Sequence, residues 1–191
     1  MIHRISLTGA QGTGKSTLAR AIADRLLIEG REVALYEGLG YDVAREGLAT
    51  GALAGAASVR AFVRLHRARG ATAAGAVQIF DRCLLDALAY AQVLGCLPPV
   101  EFEDLRRDTV AACARLTRLL WLRVTVEYPV RGPADETSEF RYSIDSAIGN
   151  LVHDNGIAVM QHAIPPDRVE DIVSAVAESV AHNFVAPGSR K

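Results

Sequence analysis

The chain has 191 residues, of which half are apolar and 23% are charged, with a formal net charge of −1. This length and apolar content predict a single domain, residues 1–191, with a full hydrophobic core. The near-neutral charge gives no electrostatic argument that the whole surface binds nucleic acid or an anionic membrane. No apolar run approaches the roughly 20 residues of a membrane span, so we expect a cytoplasmic protein with no membrane partner.

Apolar runs and helix-period patterns alternate along the chain. Strands are predicted over residues 2–8, 31–36, 77–80, 119–126 and 157–160. Helices are predicted from residue 18 to Gly30, as two segments within 41–75 with a break near Gly51–Gly55, from Leu84 to Gly95, from Pro98 to Leu116, from Phe140 to Asn155, and over 165–180. This alternation predicts an α/β fold with a doubly wound, parallel, five-stranded sheet and a ligand site at the carboxyl ends of its strands.

The strongest motif lies between the first predicted strand and the first predicted helix. Gly9-Ala10-Gln11-Gly12-Thr13-Gly14-Lys15-Ser16-Thr17 fits the P-loop pattern G-x-x-x-x-G-K-[ST] in the strand-loop-helix context that the pattern requires. Glycines let the backbone curl, so that successive N–H groups and the helix N-terminus point at phosphates. The predicted ATP-binding residues are Gly9, Gly12, Thr13, Gly14, Lys15, Ser16 and Thr17.

Lys15 and Ser16 have predicted roles of their own in this loop. Lys15 supplies a point charge for the β- and γ-phosphates, and the Ser16 hydroxyl is a ligand for Mg²⁺. The chain has 19 arginines and only two lysines, Lys15 and the C-terminal Lys191. Because an arginine fork does not replace a lysine well at this position, the location of Lys15 supports the motif.

Two absences narrow the class of P-loop protein. The strand that ends at Asp81 continues with Arg82, whereas dedicated ATPases usually place a water-activating glutamate there. A GTPase would need an Asn-Lys-x-Asp segment for guanine, which lysines at positions 15 and 191 cannot supply. Phosphoryl transfer to a bound acceptor is the remaining common chemistry.

Further segments carry a family resemblance. Asp81-Arg82-Cys83-Leu84-Leu85-Asp86, continuing to Ala89-Tyr90, resembles the Asp-Arg-Ser-x-x-Asp…Ala-Tyr segment of the deoxynucleoside kinases and of the ribosylnicotinamide kinase-like ATPase-domain group, with Cys83 in place of serine. Phe140-Arg141-x-x-Ile144-Asp145 is similar to the lid-helix signature of the latter group. The resemblance implies a P-loop kinase fold with a short lid over about 129–141, and ATP and Mg²⁺ as cofactors.

The resemblance also implies roles for residues that follow the strands. Asp81 would hold Mg²⁺ through a water, or else cap the next helix. Arg82 would neutralise the transferred phosphoryl group or hold the acceptor, or else form a surface ion pair with Asp86. Glu37 would accept the proton of the attacking hydroxyl. Asp42 and Glu46 compete with Glu37 for that role, and any of the three could be an ordinary loop acid.

Three more arginines complete the predicted catalytic and substrate-binding residues. Arg45 would hold the acceptor, with a plain surface residue as the equal alternative. Arg131 and Arg141 flank a Pro-, Gly- and Ser/Thr-containing stretch that suggests a lid closing over the phosphates. For Arg131 the competing interpretation is a solvated loop residue.

Sequence therefore predicts an ATP- and Mg²⁺-dependent kinase acting on a nucleoside, nucleotide or related small metabolite. A basic stretch, Arg60 to Arg69, leaves open a second hypothesis, a kinase acting on a modified base in DNA, although a solvated helix face explains these arginines as well. A third hypothesis is a nucleotide-binding switch with negligible turnover. The predicted partner is a small phosphate acceptor, with nucleic acid ranked below it.

Overall fold

A computed structural model describes residues 2–71, 75–124, 137–163 and 168–182. The strands are β1 (His3–Thr8), β2 (Val33–Tyr36), β3 (Val77–Asp81), β4 (Arg118–Arg123) and β5 (Met160–Ala163). The helices are α1 (Lys15–Ile28), α2 (Leu39–Arg45), α3 (Ala56–Ala71), α4 (Leu84–Leu94), α5 (Pro99–Cys113), α6 (Ser138–Asp154) and α7 (Val169–His182), with a 3₁₀ turn at Gly51–Leu53.

The five strands form one sheet in the order β2-β3-β1-β4-β5, and every pairing is parallel. In the register of the sheet, Leu7 of β1 lies beside Asp81 of β3, and Thr8 lies beside Trp121 of β4. The carboxyl ends of the central strands therefore meet at one edge, where the P-loop leaves β1. This architecture confirms the predicted fold class.

Helices cover both faces of the sheet. On one face α1 and α7 pack onto a buried cluster that includes Ile5, Leu7 and Leu120. On the other face, a second cluster joins α4, α5 and α6 to Leu119 and Trp121 of β4. Because side chains alternate between the faces of a strand, the nearly continuous apolar run of β4 supplies both clusters.

The predicted limits of β4 and β5 were wrong. The fifth strand begins at Met160 rather than Ile157, because Met160 is the first residue to pair with β4 while Ile157 and Val159 pack into the second cluster. β4 ends at Arg123, before the predicted limit at residue 126. The last helix begins at Val169; residues 164–167, where its start was predicted, lie outside the described residues.

Candidate active site

Backbone geometry of the P-loop requires glycine at its first position. Gly9 has φ +145°, and a Cβ there would overlap the carbonyl oxygen of Leu122 at the end of β4. Gly12 and Gly14 have φ +76° and +85°, in the left-handed region that other residues rarely adopt. The loop therefore curls as the motif predicts and delivers the chain directly into α1 at Lys15.

Lys15 is buried inside this curl. Its Nζ donates to the carbonyl oxygens of Gly9 at 2.7 Å and Ala10 at 2.6 Å, and its side chain is only 4% exposed. The Thr13 hydroxyl also donates to Ala10, at 2.9 Å. These hydrogen bonds hold the ammonium inside the loop. There it could donate hydrogen bonds to the phosphates of a bound nucleotide.

Ser16 and Asp81 meet at the sheet edge. Ser16, in the first turn of α1, donates its hydroxyl to Asp81 Oδ2 at 2.5 Å. The other carboxylate oxygen, Oδ1, is buried and has no hydrogen-bond partner among the described residues. A hydroxyl beside a buried carboxylate with one unsatisfied oxygen is the donor set that Mg²⁺ prefers, so these two residues fit the predicted metal site.

Arg82 carries the one positive φ of a non-glycine residue in the described part of the chain, +96°. Its amide donates to the Leu7 carbonyl at 3.1 Å, which fixes the turn to the end of β1. A backbone conformation of this kind costs on the order of 1–3 kcal/mol and is concentrated at functional sites. The guanidinium pairs with Asp86 at 3.5 Å, as the ion-pair alternative expected, but Asp86 is buried rather than at the surface.

Asp86 is the residue that sequence reasoning undervalued. Its Oδ2 accepts from the Cys83 amide at 2.9 Å, completing a capping box at the start of α4, and its Oδ1 accepts from the Gly9 amide at 3.4 Å. Burial raises the pKa of Asp86, while Arg82 and Lys15 act in the opposite direction. The capping-box spacing of residues 83 and 86 was the signal that could have indicated this position.

Glu37 follows β2 and lies at the same edge of the sheet. Arg20 of α1 donates through Nε to both carboxylate oxygens of Glu37, at 2.9 and 3.1 Å, and through Nη2 to Oε1. The hydrogen bond from Arg20 lowers the pKa of Glu37, against a smaller opposing effect of burial. The P-loop pattern does not extend as far along α1 as Arg20, so the sequence predicts no role for this residue.

The competing acids have other partners. Asp42 pairs with Arg45 and Arg69, and Glu46 pairs with Arg64. Neither acid lines the cavity described below. The Arg45 side chain is 81% exposed and also lies outside that cavity, so the structure does not bring Arg45 to Glu37.

Arg141 reaches the P-loop from α6. Its Nε donates to the Gln11 carbonyl at 2.8 Å, its guanidinium lies against Gly12, and the residue is 2% exposed. The cap residue Thr137 precedes α6, and its hydroxyl accepts a hydrogen bond from the Phe140 amide at 3.2 Å. Arg131, and the part of the predicted lid before residue 137, lie outside the described residues.

One cavity of about 1110 Å³ gathers most of these groups. Its polar lining comes from the P-loop residues Gln11 to Thr17 other than Thr13, and from Arg20, Glu37, Asp81, Arg82 and Asp86. Its apolar wall includes Tyr41, Val59, Phe62, Ala87 and Tyr90. A second cavity of about 550 Å³, at the start of β4, contains no predicted site residue.

The arginines from Arg60 to Arg69 are engaged in ion pairs and do not line the cavity. Arg60 pairs with Glu101, Arg64 with Glu46, Arg67 with Asp108 and Arg69 with Asp42. Within the described ranges, no helix is long and apolar enough to cross a membrane, and no group of three or more His, Cys, Asp or Glu side chains is placed to hold a metal ion.

Comparison with known families matches residues 4–171 to the model of a family described as an AAA domain. The chain belongs to this AAA-domain family. The match covers the described strands except His3 of β1, and it includes the P-loop, Asp81 and Arg141, so the candidate active site lies within the family domain. No curated protein matches the chain.

Solved structures of other proteins have a fold similar to that of this AAA domain. NadR in complex with NR has a TM-score of 0.72 and 16% identity, over 94% of this chain and 50% of NadR. NadR with NAD and AMP-PNP has a TM-score of 0.70 and 17% identity, over 100% and 51%. Thymidylate kinase from Ehrlichia chaffeensis has a TM-score of 0.66 and 15% identity, over 91% and 98%. The chain thus has a P-loop kinase fold and spans about half the length of NadR.

Proposed function

We propose that this AAA domain is an ATP- and Mg²⁺-dependent kinase that transfers the γ-phosphate to a hydroxyl group of a small, ring-bearing metabolite of the nucleoside type. The observation that carries the proposal is the shared cavity: the P-loop, Asp81, Arg82 and Glu37 open onto one space with an aromatic wall. Phosphate-binding, charge-neutralising and proton-accepting groups around one cavity are the parts that phosphoryl transfer needs.

On the donor side, the P-loop amides and Lys15 would hold the β- and γ-phosphates, and Ser16 and Asp81 would hold Mg²⁺. When bound, the ion would neutralise negative charge on the phosphates. Arg141 lies over the loop at Gln11 and Gly12 and would add a second positive charge beside the nucleotide. The NadR structure with AMP-PNP supports a nucleotide in a site of this fold.

On the acceptor side, Glu37 would accept the proton of the attacking hydroxyl. The acceptor oxygen would form the new bond to the γ-phosphorus as the bond to the β–γ bridging oxygen breaks, with ADP as the leaving group. Arg82 would stabilise charge on the transferred group. The hydrogen bond from Arg20 lowers the pKa of Glu37, so this carboxylate is ionised at neutral pH.

Charge favours a neutral acceptor over a nucleotide. The arginines that line the cavity among the described residues, Arg20 and Arg82, pair with Glu37 and Asp86. A phosphate on the acceptor would have to compete with these carboxylates for the arginines. Phe62 and Tyr90, by contrast, provide apolar contacts for the ring of a neutral acceptor. The NadR structure that contains NR supports a ligand of this size.

Measurement of ADP release with a panel of nucleosides, nucleoside monophosphates, ribosylnicotinamide and oligonucleotides tests the proposal. We expect ADP release stimulated by a nucleoside-type compound, with a phosphorylated product visible by ³¹P NMR. Lys15→Ala should abolish transfer and keep the fold, since it removes the positive charge at the phosphates. Acceptor-independent turnover, or tight nucleotide binding with no product from any acceptor, would favour the regulatory-switch hypothesis.

A further inference from the structure

Arg20 and Glu37 form a two-pronged ion pair that faces the active-site cavity. Arg20 Nε lies 2.9 and 3.1 Å from the two Glu37 carboxylate oxygens, with Nη2 on Oε1 as well. Both residues line the cavity. Arg20 stands one helical turn after Ser16, so both project from the same side of α1.

The backbone around Glu37 does little to fix its side chain. β2 is the edge strand of the sheet and pairs with β3 alone. Glu37 leaves the strand immediately after Tyr36, and the next residue, Gly38, turns the chain with φ +75°. A carboxylate at such a junction has rotamer freedom unless another group restrains it, and the planar guanidinium fork restrains both its position and its orientation.

Arg20 also lies close to a second carboxylate of the cavity. Asp81 and Tyr41 act electrostatically on Arg20, after the dominant interaction with Glu37. Asp81 is already engaged with Ser16 through Oδ2, and its Oδ1 points into a buried position. Arg20 therefore interacts mainly with Glu37, while Asp81, the carboxylate that fits the metal, acts on Arg20 more weakly.

We propose that Arg20 is a positioning residue that holds the Glu37 carboxylate toward the acceptor and away from the metal-binding pair Ser16–Asp81. The inference rests on the proposed kinase function. Its structural consequence is that Lys15, Ser16 and Arg20 all project from α1, so one rigid helix fixes the phosphate-binding groups and the proton acceptor relative to each other.

The chain offers a closely matched control on the same helix. Arg25 pairs with Glu29 through Nε at 2.7 Å, with side chains 45% and 29% exposed, against 61% and 31% for Arg20 and Glu37. Arg25 does not line the cavity. Arg25→Gln therefore removes an equivalent surface ion pair from α1 without touching the site.

The first experiment measures the carboxyl pKa of Glu37 by NMR in the full chain, without any acceptor. Arg20→Gln should raise this pKa, because the hydrogen bond and the positive charge that Arg20 provides to the Glu37 carboxylate are lost. Arg25→Gln should leave it unchanged. Arg20→Lys should give a value between wild type and Arg20→Gln, since the charge is kept and the fork is lost.

The second experiment measures steady-state kinetics against pH. Arg20→Gln should lower kcat at least tenfold, move the acidic limb of the kcat profile to higher pH and leave the KM for ATP and the Mg²⁺ dependence near wild type. If Arg20 only supported the fold, the substitution would lower the melting temperature and leave the acidic limb of the kcat profile at its wild-type pH. Arg20→Lys should restore part of kcat.

The experiments distinguish a failure of the positioning role of Arg20 from a failure of the kinase proposal. An active wild-type enzyme whose Arg20→Gln form keeps its kcat and its pH profile would overturn the positioning role and leave the kinase proposal intact. If wild type transfers phosphate to no acceptor, the kinase proposal fails, while an unchanged Glu37 pKa in Arg20→Gln would independently overturn the ion pair itself.

Discussion

The carboxylate of Asp86 accepts a hydrogen bond from the amide of Gly9, at 3.4 Å, and so ties α4 to the first residue of the P-loop. The same carboxylate holds the Cys83 amide and pairs with Arg82. A single buried side chain thus connects the phosphate-binding loop to the strained turn that carries a proposed catalytic arginine. Asp86 is 1% exposed, so these contacts are made away from solvent.

Asp86→Ala should therefore be strongly destabilising. It leaves two buried amides without their acceptor, and removing one partner of a buried ion pair typically costs about 3–5 kcal/mol. We expect a loss of about 3 kcal/mol in the free energy of unfolding, measured by urea denaturation. Asp86→Asn keeps one acceptor oxygen and should lose less.

A matched control for Asp86 is Asp108→Ala, which removes an ion pair with Arg67 whose side chains are more than half exposed. Exposed pairs are typically worth less than about 1 kcal/mol. Equal losses for Asp86→Ala and Asp108→Ala would contradict the role assigned to the buried carboxylate.

The site could be predicted where its chemistry depends on local sequence. The P-loop, Ser16 and Asp81 come from a strand, a turn and a helix start that a short motif specifies, and the structure places them together. Arg141 was predicted, from a lid-helix signature, to flank a lid over the phosphates, and it lies against Gly12 of the P-loop. For the P-loop and Asp81, the strands β1 and β3 are adjacent in the sheet and bring the two segments into contact, whereas Arg141 comes from α6, which follows β4.

Contacts between residues that are far apart in the sequence could not be predicted from the sequence pattern. Arg20 meets Glu37 because α1 packs beside the edge strand β2, and the sequence does not reveal which strand forms the edge. The choice among Glu37, Asp42 and Glu46 likewise depends on which side of α2 faces α3. The predicted start of β5 was wrong for a related reason. An apolar run does not show which of its residues form hydrogen bonds with the neighbouring strand and which pack into the core.

Acid sensitivity should arise in part from His66 of α3. Its ring lies 5.7 Å from that of Phe80, and burial, assisted by Arg69 and Arg67, lowers the pKa of His66 to about 4. In the unfolded chain the ordinary value is near 6.5, so between these values the unfolded state binds the proton more readily. Stability should fall as pH decreases from about 6.5 towards 4, by at most about 1.4 kcal/mol per pH unit.

Denaturation curves at pH 7.5, 6 and 5 check this expectation. His66→Gln should reduce the loss of stability between pH 6.5 and 4, whereas His153→Gln, which changes an exposed residue of α6, should preserve it. An unchanged pH dependence in His66→Gln would show that other groups, such as the buried His3, dominate the acid response.

Because we propose a small acceptor, we expect the surface arginines Arg64 and Arg67 to be dispensable for activity. Arg64 and Arg67 pair with Glu46 and Asp108 outside the cavity. We expect Arg64→Ala combined with Arg67→Ala to keep the activity towards the small acceptor, and we expect wild type to show no duplex DNA binding at physiological salt. Submicromolar DNA binding with a salt slope of roughly −0.9 per contacted phosphate, abolished by the double change, would instead favour the DNA-kinase hypothesis.

Glu37→Gln and Asp81→Asn should fail in different ways, because the two carboxylates face different partners. Asp81 meets Ser16 at the proposed metal position, so Asp81→Asn should raise the Mg²⁺ concentration needed for half-maximal activity. Glu37 pairs with Arg20 on the proposed acceptor side, so Glu37→Gln should suppress kcat with ATP affinity nearly intact. The expected loss is about 10²–10⁴-fold, the usual contribution of a general base. Magnesium titrations and kcat measurements on both variants separate the roles, and a loss of less than about tenfold in Glu37→Gln would place the proton acceptor elsewhere.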